Sequence, residues 1–205
     1  MPSPARGLTQ PQRVELSARR LVEAAAALIV EKGWEATTAA EIGRRAGYSR
    51  TMVHARYGGK DAILDTLFRD AYDARSDVTP GPDADGLTVA LGHLDRIVAL
   101  YDADPVFTRA VFVLAFESVP VGSPLRRRMP AWLSGGPEPV EAGLRAGIVD
   151  GSVRADVDVA AAAVDVGTAG LGIVYRWILS DGEHRLDADL KHLRDRVIRD
   201  YGARR

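Results

Sequence analysis

The chain has 205 residues, of which 46% are hydrophobic and 27% are charged, and its formal net charge is -1. This composition is that of a globular protein and excludes a chain that is disordered throughout. The absence of cysteine excludes a disulfide scaffold, thiol catalysis and a zinc–thiolate site.

Helical spacing of apolar residues recurs along the chain, and no run of alternating β-branched residues indicates a strand. We therefore expect an all-α fold. Apolar residues from Leu21 to Ile29 follow the i, i+3, i+4, i+7, i+8 pattern of one helix face. In the first third of the chain we predict helices at about Leu16–Lys32, Thr38–Ala46, Ser49–Tyr57 and Lys60–Ser76.

The turn-rich segment 79–86, TPGPDADG, interrupts this pattern, and further helical spacing follows it. Segment 157–179 is strongly apolar but carries three charged residues, so we expect a helix of a soluble protein rather than a membrane span. Here we predict helices at about Leu87–Tyr101, Pro105–Ser118, Pro139–Val149, Val157–Leu179 and Leu186–Tyr201, with a short helix around Met129–Leu133.

Two short helices joined by a tight Gly47-Tyr48 turn have the size and spacing of a helix-turn-helix. Thr38 with Glu41 forms the pattern of a capping box at the first helix, and Ser49 is placed to cap the second. An ordinary three-helix bundle with a basic surface would show the same spacing, so both interpretations stay open at this point.

On the second short helix, Val53 and Tyr57 share one face and are expected to point inward. The opposite face would carry Arg50, Thr51, His54 and Ala55, and an Arg in the major groove can donate two hydrogen bonds to guanine. Lys60 begins the next helix, where its ammonium and backbone N–H groups can bind one phosphate. Residues 1–60 hold ten Lys or Arg and five acids, which favours a polyanionic partner.

Residues 21–64 resemble the DNA-binding region of the TetR family of transcriptional regulators. The resemblance rests on Gly33-Trp34, the segment 36–42 (ATTAAEI), the segment 46–50 (AGYSR), Tyr57, and the segment 60–64 (KDAIL). It implies a DNA-binding site made of Thr38, Ser49, Arg50, Thr51, His54, Tyr57 and Lys60. Within this set Thr38, Tyr57 and Lys60 would contact phosphates, and positions 50, 51 and 54 would face the bases.

The chain departs from the family pattern at three positions of this region. His54 stands where a tyrosine is usual, Ala55 replaces a larger side chain, and Gly43 replaces an alanine. The operator sequence of a relative therefore cannot be transferred to this chain. The resemblance divides the chain into a disordered N-terminal arm (1–13), a helix-turn-helix domain (14–60) and a helical ligand-binding and dimerisation domain (61–205).

The last two helices are expected to pair with those of a second subunit, because family members dimerise through a four-helix bundle. Gly167, Gly170 and Gly172 follow no strand and lack a nucleotide-loop pattern, so they indicate close helix approach. Packing within the monomer core is the alternative for some interface residues. The predicted interface is Leu171, Val174, Trp177, Ile178, Leu190, Leu193 and Val197.

The resemblance also implies a cavity for a small, apolar effector. The aromatic residues that would line it cluster in one segment of the chain, and two polar residues on the eighth helix would anchor the ligand. Plain core packing is the alternative for each aromatic residue. The predicted ligand-binding residues are Tyr101, Phe107, Phe112, Phe116, Trp132, Asp165 and Thr168.

Catalysis has little support, because there is no G-x-S-x-G motif and Asp189 with His192 is a single pair of possible metal ligands. We predict a cytoplasmic, homodimeric repressor that binds a palindromic operator and is released by its effector. No cofactor, metal or membrane is expected. The alternative is a helical small-molecule-binding protein with weak or vestigial DNA binding. The departures from the family pattern at His54 and Ala55 are the reason for considering it.

Overall fold

The computed structural model describes residues 7, 9–76, 80–129, 138–180 and 184–204, with the side chains of residue 50 and residues 71–76 left out. Within these ranges the secondary structure is helical, apart from one isolated bridge between Val153 and Gly202. The all-α prediction is thus confirmed. The helices are α1 (Gln10–Lys32), α2 (Ala39–Arg45), α3 (Arg50–Tyr57), α4 (Asp61–Ser76), α5 (Gly86–Ala103), α6 (Pro105–Glu117), α7 (Glu138–Asp150), α8 (Val159–Leu179) and α9 (Leu186–Tyr201).

The largest departures from the sequence prediction lie at the start of α1 and near Met129. Helix α1 begins at Gln10, because Thr9 and Gln12 form a capping box and Pro11 suits a first turn. Its first four residues therefore lie within the segment 1–13 that was expected to be a disordered arm. A 3₁₀ turn at Pro124–Arg127 precedes the short helix predicted around Met129–Leu133, and most of that helix lies outside the described residues.

The chain forms two compact units, Met1–Asp70 with Arg109–Arg128 (unit 1) and Ala71–Thr108 with Met129–Arg205 (unit 2). In unit 1, α2 packs on α1 and α3. The core of this unit contains fully buried aliphatic side chains from five helices. They include Leu21, Ile29, Ile42, Val53, Ile63, Leu64 and Leu114.

In unit 2, α5 packs on α7 and α9, and α8 packs on the same two helices. Glycines bring α5 and α7 unusually close together. A Cβ atom added to Gly143 would lie 2.5 Å from the backbone N of Ala90 and 2.7 Å from its Cα. One added to Gly86 would overlap the backbone of Gly147. The two helices can therefore adopt this distance only because these positions lack side chains.

Helix α8 has the length and mean hydropathy (1.3) of a membrane-spanning helix, which by itself is weak evidence. Two charged residues within it make polar contacts with α9. Asp165 accepts a hydrogen bond from the Tyr201 hydroxyl, and Arg176 forms a 2.6 Å ion pair with Asp189. One side of α8 is buried in unit 2, but the other side exposes apolar residues, among them Val164, Leu171 and Leu179.

The close contact of α5 and α7 predicts that Gly143→Ala destabilises the protein. The added methyl group would meet backbone atoms, which cannot move aside as a flexible side chain can, and overpacking of this kind costs about 1–3 kcal/mol. Urea denaturation of both proteins measures the loss of unfolding free energy. Ala146→Ser is the control, because Ala146 is exposed on the same helix and its replacement should cost no more than about 0.5 kcal/mol.

Candidate nucleic-acid interface

The helix-turn-helix is formed by α2, the turn at 46–49 and α3. The predicted capping box begins α2: the Thr38 hydroxyl accepts a hydrogen bond from Glu41 N (3.3 Å), and the Glu41 carboxylate accepts one from Thr38 N (3.1 Å). After α2, Gly47 has φ of +80°, a conformation that glycine adopts at little cost. Tyr48 N then donates to the carbonyl of Gly43 (2.7 Å), which closes the turn before Ser49. Ser49 occupies the N-cap position of α3 as predicted, but its side chain makes no capping hydrogen bond.

Two polar side chains of α3 attach the helix to α1. The Tyr57 hydroxyl donates to the carbonyl of Ala18 (3.2 Å), and the Arg56 guanidinium donates to the hydroxyl of Ser17 (3.0 Å). Burial raises the pKa of Tyr57, so its hydroxyl remains protonated and able to donate. Together with the fully buried Val53, these contacts fix which face of α3 is turned outward.

The outward face of α3 contains Thr51, His54 and Ala55, all exposed, and Arg50 occupies the first position of the helix. Nδ1 of His54 lies 3.2 Å from the carbonyl oxygen of Gly58, so this nitrogen can donate a hydrogen bond there. The other ring nitrogen, Nε2, does not take part in this contact. Positions 50, 51 and 54, which the resemblance implies to be base-facing, thus lie on the first two turns of one short helix.

Lys60 contacts the loop that leads into α2. Its ammonium donates to the carbonyls of Thr37 (2.9 Å) and Trp34 (3.1 Å) and lies 4.6 Å from the centre of the Trp34 ring. An ammonium has three N–H donors, and these bonds use two of them. Lys60, expected from the sequence to bind phosphate, therefore also holds the segment that ends at Thr38.

Sequence reasoning missed the two ion pairs that join α1 to α2. Lys32 pairs with Glu41 at 2.6 Å, and Arg45 pairs with Glu31 at 2.7 Å. The hydrogen bond from Lys32, followed by that from Thr38, lowers the pKa of Glu41 to about 2. Residues Lys32 and Glu41 are nine apart and lie on different helices, so helical spacing gives no signal for this pair.

The predicted ligand-binding residues fall in both units. In unit 2, Tyr101 packs edge-on against Trp177, with ring centres 5.5 Å apart, and Phe107 is half-buried. Asp165 and Thr168 lie on the exposed side of α8. In unit 1, Phe112 is buried and Phe116 is half-buried, while Trp132 lies outside the described residues.

Unit 2 also contains an open cleft of about 530 Å³ between α5 and α9, which sequence reasoning did not predict. Its apolar floor includes Leu94, Val98 and Leu190, and its rim is charged. The Asp95–Arg194 ion pair (3.1 Å) closes one side of this cleft. None of the aromatic residues proposed for ligand binding lines it.

The predicted dimer-interface residues separate into two groups. Val174, Trp177, Leu190, Leu193 and Val197 are buried within unit 2 of the single chain. Leu171 is 54% exposed and Ile178 is half-buried. Gly170 lies against Leu94, whereas Gly167 and Gly172 face open space. An interface between subunits would consequently involve the side of α8 that carries Leu171.

Among the described residues, no group of three or more His, Asp or Glu side chains is arranged to hold a metal ion. Asp189, which with His192 was the only candidate pair in the sequence, is instead ion-paired with Arg176.

Comparison with known proteins finds one family model that matches the N-terminal part of the chain. Residues 21–67 match the model of bacterial regulatory proteins of the tetR family. No match to the chain is found among curated proteins. The matched segment begins in α1 and ends in α4, and so contains the whole helix-turn-helix.

Solved structures show that the likeness of fold extends over most of the chain. CprB from Streptomyces coelicolor A3(2), a TetR family protein, is 21% identical with a TM-score of 0.71, and the match covers 93% of this chain and 90% of CprB. The SmeT–triclosan complex is 20% identical with a TM-score of 0.70 and 91% coverage of both chains. SmeT is the repressor of the Stenotrophomonas maltophilia multidrug efflux pump SmeDEF.

FadR from Bacillus subtilis, in complex with stearoyl-CoA, is 19% identical with a TM-score of 0.63, covering 88% of this chain and 97% of FadR. At these identities the likeness shows the fold. The matched family is one of regulatory proteins, in agreement with the expectation that the chain is not an enzyme.

The depressed pKa of Glu41 predicts a pH-dependent stability difference between the wild type and Glu41→Gln. Because the folded-state pKa (about 2) lies below the ordinary value of 4.5, the ionised Glu41 stabilises the fold at neutral pH. This advantage should shrink as the pH falls from about 4.5 to about 2. Glutamine preserves the capping box and removes only the charge.

Urea denaturation of both proteins at pH 7 and pH 3 measures this difference. Added salt should reduce it at pH 7, because the Lys32–Glu41 pair is partly exposed and therefore screened. An equal difference at the two pH values would contradict the role of the Glu41 charge.

Proposed function

We propose that this chain is a cytoplasmic repressor, because residues 21–67 match the model of bacterial regulatory proteins of the tetR family. It is a DNA-binding transcriptional regulator that acts as a homodimer on a palindromic operator and is released by a small, apolar molecule. The observation that carries the proposal is the outward face of α3, which is held away from the core by the buried Val53 and by the contacts of Arg56 and Tyr57 with α1.

In this proposal α3 enters the major groove. Arg50 and Thr51 lie in its first turn and His54 in its second, which is the part of a recognition helix that contacts base edges. Arg50 reads a guanine, Thr51 contacts a thymine methyl group, and His54 reaches a base edge or a phosphate. Ala55 is too short for a polar contact, so the operator differs from those of relatives with a larger residue there.

The phosphate contacts are assigned to Thr38, Ser49 and Lys60; Tyr57 can join them only by exchanging its hydrogen bond to the carbonyl of Ala18 for one to phosphate. Thr38 and Ser49 are the N-caps of α2 and α3, where backbone N–H groups and the positive end of the helix dipole favour a phosphate. The net charge of +5 over residues 1–60 supports this assignment, because phosphate neutralisation supplies much of the affinity of a DNA-binding protein.

Dimerisation is proposed through the exposed side of α8. Val164, Leu171 and Leu179 place apolar side chains along this side, and Gly167 and Gly172 between them face open space. Glycines at such positions let a second helix approach closely, and burial of the apolar side chains stabilises the pair. Two subunits related by a two-fold axis would present two α3 helices about 34–36 Å apart, or a multiple of it, to a palindromic site.

Release by an effector is proposed by analogy with neighbours of similar fold. SmeT is solved with triclosan and FadR with stearoyl-CoA, both of which present apolar groups. An effector can shift the equilibrium between DNA-bound and free states only by binding them with different affinity. Tyr101 and Phe107 of unit 2 remain our candidates for contacts with its apolar part, whereas Asp165 and Thr168 lie on the side of α8 that we assign to the second subunit.

Selection of bound DNA from a random pool at near-physiological salt tests the DNA-binding role. We expect the wild type to enrich an inverted repeat, since a two-fold dimer reads two related half-sites. Arg50→Ala should relax the preference at one base pair in each half-site by about 1–3 kcal/mol.

Arg127→Ala is the matched control, because it removes an exposed arginine of unit 1 that lies outside the helix-turn-helix. It should keep the wild-type motif. If folded wild-type protein enriches no motif, the chain is better explained as a small-molecule-binding protein with vestigial DNA binding.

The proposed dimer predicts that Leu171→Glu gives monomers in solution. Leu171 is 54% exposed in the single chain, so a charge there leaves the fold intact but opposes burial against a second subunit. Sedimentation equilibrium measures the molar mass of both proteins. Val149→Glu is the control, because Val149 is 89% exposed on α7 and lies outside the proposed interface; a dimer that Leu171→Glu leaves undisturbed would contradict this interface.

A further inference from the structure

We propose that Glu117, the last residue of α6, is a positioning residue for DNA binding: its carboxylate holds the Gly33–Thr38 loop in the conformation from which α2 starts, and α3 packs on α2. This inference rests on the proposed DNA-binding function. Glu117 lies in unit 1 together with the helix-turn-helix, although 83 residues separate it from Trp34 in the sequence.

The contact between Glu117 and the loop is specific. One carboxylate oxygen, Oε2, accepts a hydrogen bond from the backbone N–H of Trp34 (3.0 Å). The other oxygen, Oε1, occupies the space beside Gly33 where a Cβ atom would be. Gly33 also has φ of +79°, so this position favours glycine both for its backbone and for the room it leaves to the carboxylate.

Lys60 holds the same loop through hydrogen bonds to two of the loop's backbone carbonyl groups. Glu117 accepts from the N–H of Trp34, while Lys60 donates to the carbonyl of Trp34 and to that of Thr37. The Trp34 side chain is only 3% exposed and lies under the Lys60 ammonium. The loop is thus held by an anion at one of its N–H groups and by a cation at two of its carbonyls.

Inside the loop, further hydrogen bonds transmit this constraint to α2. The Thr37 hydroxyl donates to the carbonyl of Gly33 (2.7 Å), and Thr37 N donates to the carbonyl of Trp34 (3.0 Å). The next residue is Thr38, the N-cap of α2 and a proposed phosphate contact. Movement of Trp34 would therefore change the position of Thr38.

Charge alone predicts the opposite effect of Glu117 on DNA binding. A carboxylate in a DNA-binding unit repels phosphates, so its removal should strengthen binding of every sequence. A positioning role predicts weaker binding of the operator when the same carboxylate is removed. Whether the affinity for operator DNA falls or rises when the Glu117 carboxylate is removed therefore distinguishes the positioning role from simple charge repulsion.

The test uses the full chain and the operator obtained by selection, with Kd measured over a range of salt concentrations. Glu117→Ala should weaken operator binding about tenfold, the effect expected when a hydrogen bond to a charged group is lost. Glu117→Gln should retain most of the affinity, because its amide oxygen can still accept from Trp34 N. Glu35→Ala is the charge control: Glu35 is exposed on the same loop, and its removal should leave affinity unchanged or slightly higher.

Hydrogen exchange of the DNA-free proteins supplies a second readout. The Trp34 and Thr37 amides should exchange faster in Glu117→Ala than in the wild type, and at the wild-type rate in Glu117→Gln and Glu35→Ala. Circular dichroism and urea denaturation establish that each variant is folded.

Wild-type exchange rates in folded Glu117→Ala, or operator binding as tight as that of the wild type, would overturn the inference. A wild-type protein that binds no DNA overturns the proposed function and this inference with it. Loss of operator affinity in Glu117→Ala alone, with faster exchange of the loop amides, supports both.

Discussion

The shortness of α2 and α3 is the constraint on which the candidate interface depends. These helices have 7 and 8 residues, and isolated helices shorter than about 12–15 residues are marginal in water. Their geometry must therefore come from tertiary contacts. Helix α1, with 23 residues, packs on α2, which in turn packs on α3. Ile42 and Val53 are fully buried in this unit, and each such side chain stabilises it by about 1.5–3 kcal/mol.

Polar contacts in this domain contribute less free energy but determine orientation. Exposed ion pairs such as Arg45–Glu31 add little to the free energy of unfolding because solvent screens them, so they cannot replace the apolar core. The hydrogen bonds of Arg56 and Tyr57 to α1, in contrast, select one rotation of α3 about its axis. Burial brings the helices together, and these hydrogen bonds decide which side chains α3 presents to DNA.

The sequence predicted local features well, because these depend on residues that are neighbours in the chain. The bounds of α6 and α9 agree with the prediction within one residue, and the capping box at Thr38 and Glu41 is present. Contacts between distant segments were not predictable in this way. Nothing in the sequence connects Glu117 with Trp34, and no periodic pattern reveals that the cleft between α5 and α9 exists.

The seam of Leu190, Leu193 and Val197 shows why a periodic pattern is ambiguous. Spacing indicates that these side chains share one face of α9, but it does not indicate whether that face is covered by the same chain or by a second one. In the structure the same chain covers it. Likewise, the turn near 124–127 forms as a 3₁₀ helix because Ser123 caps it and Pro124 begins it, which weak local spacing around Met129 did not reveal.

Helix α8 is apolar on both its buried and its exposed side. The buried side contributes to the folding of one chain, and the exposed side bears on the proposed association of two chains. Val174 and Trp177 are buried in unit 2, where their loss would open a cavity and cost several kcal/mol, whereas Val164, Leu171 and Leu179 add little to the stability of one chain. If the protein were a monomer, replacing these exposed apolar residues with polar ones would change its free energy of unfolding very little. Their position along one line, with Gly167 and Gly172 between them, is the observation on which the dimer proposed above rests.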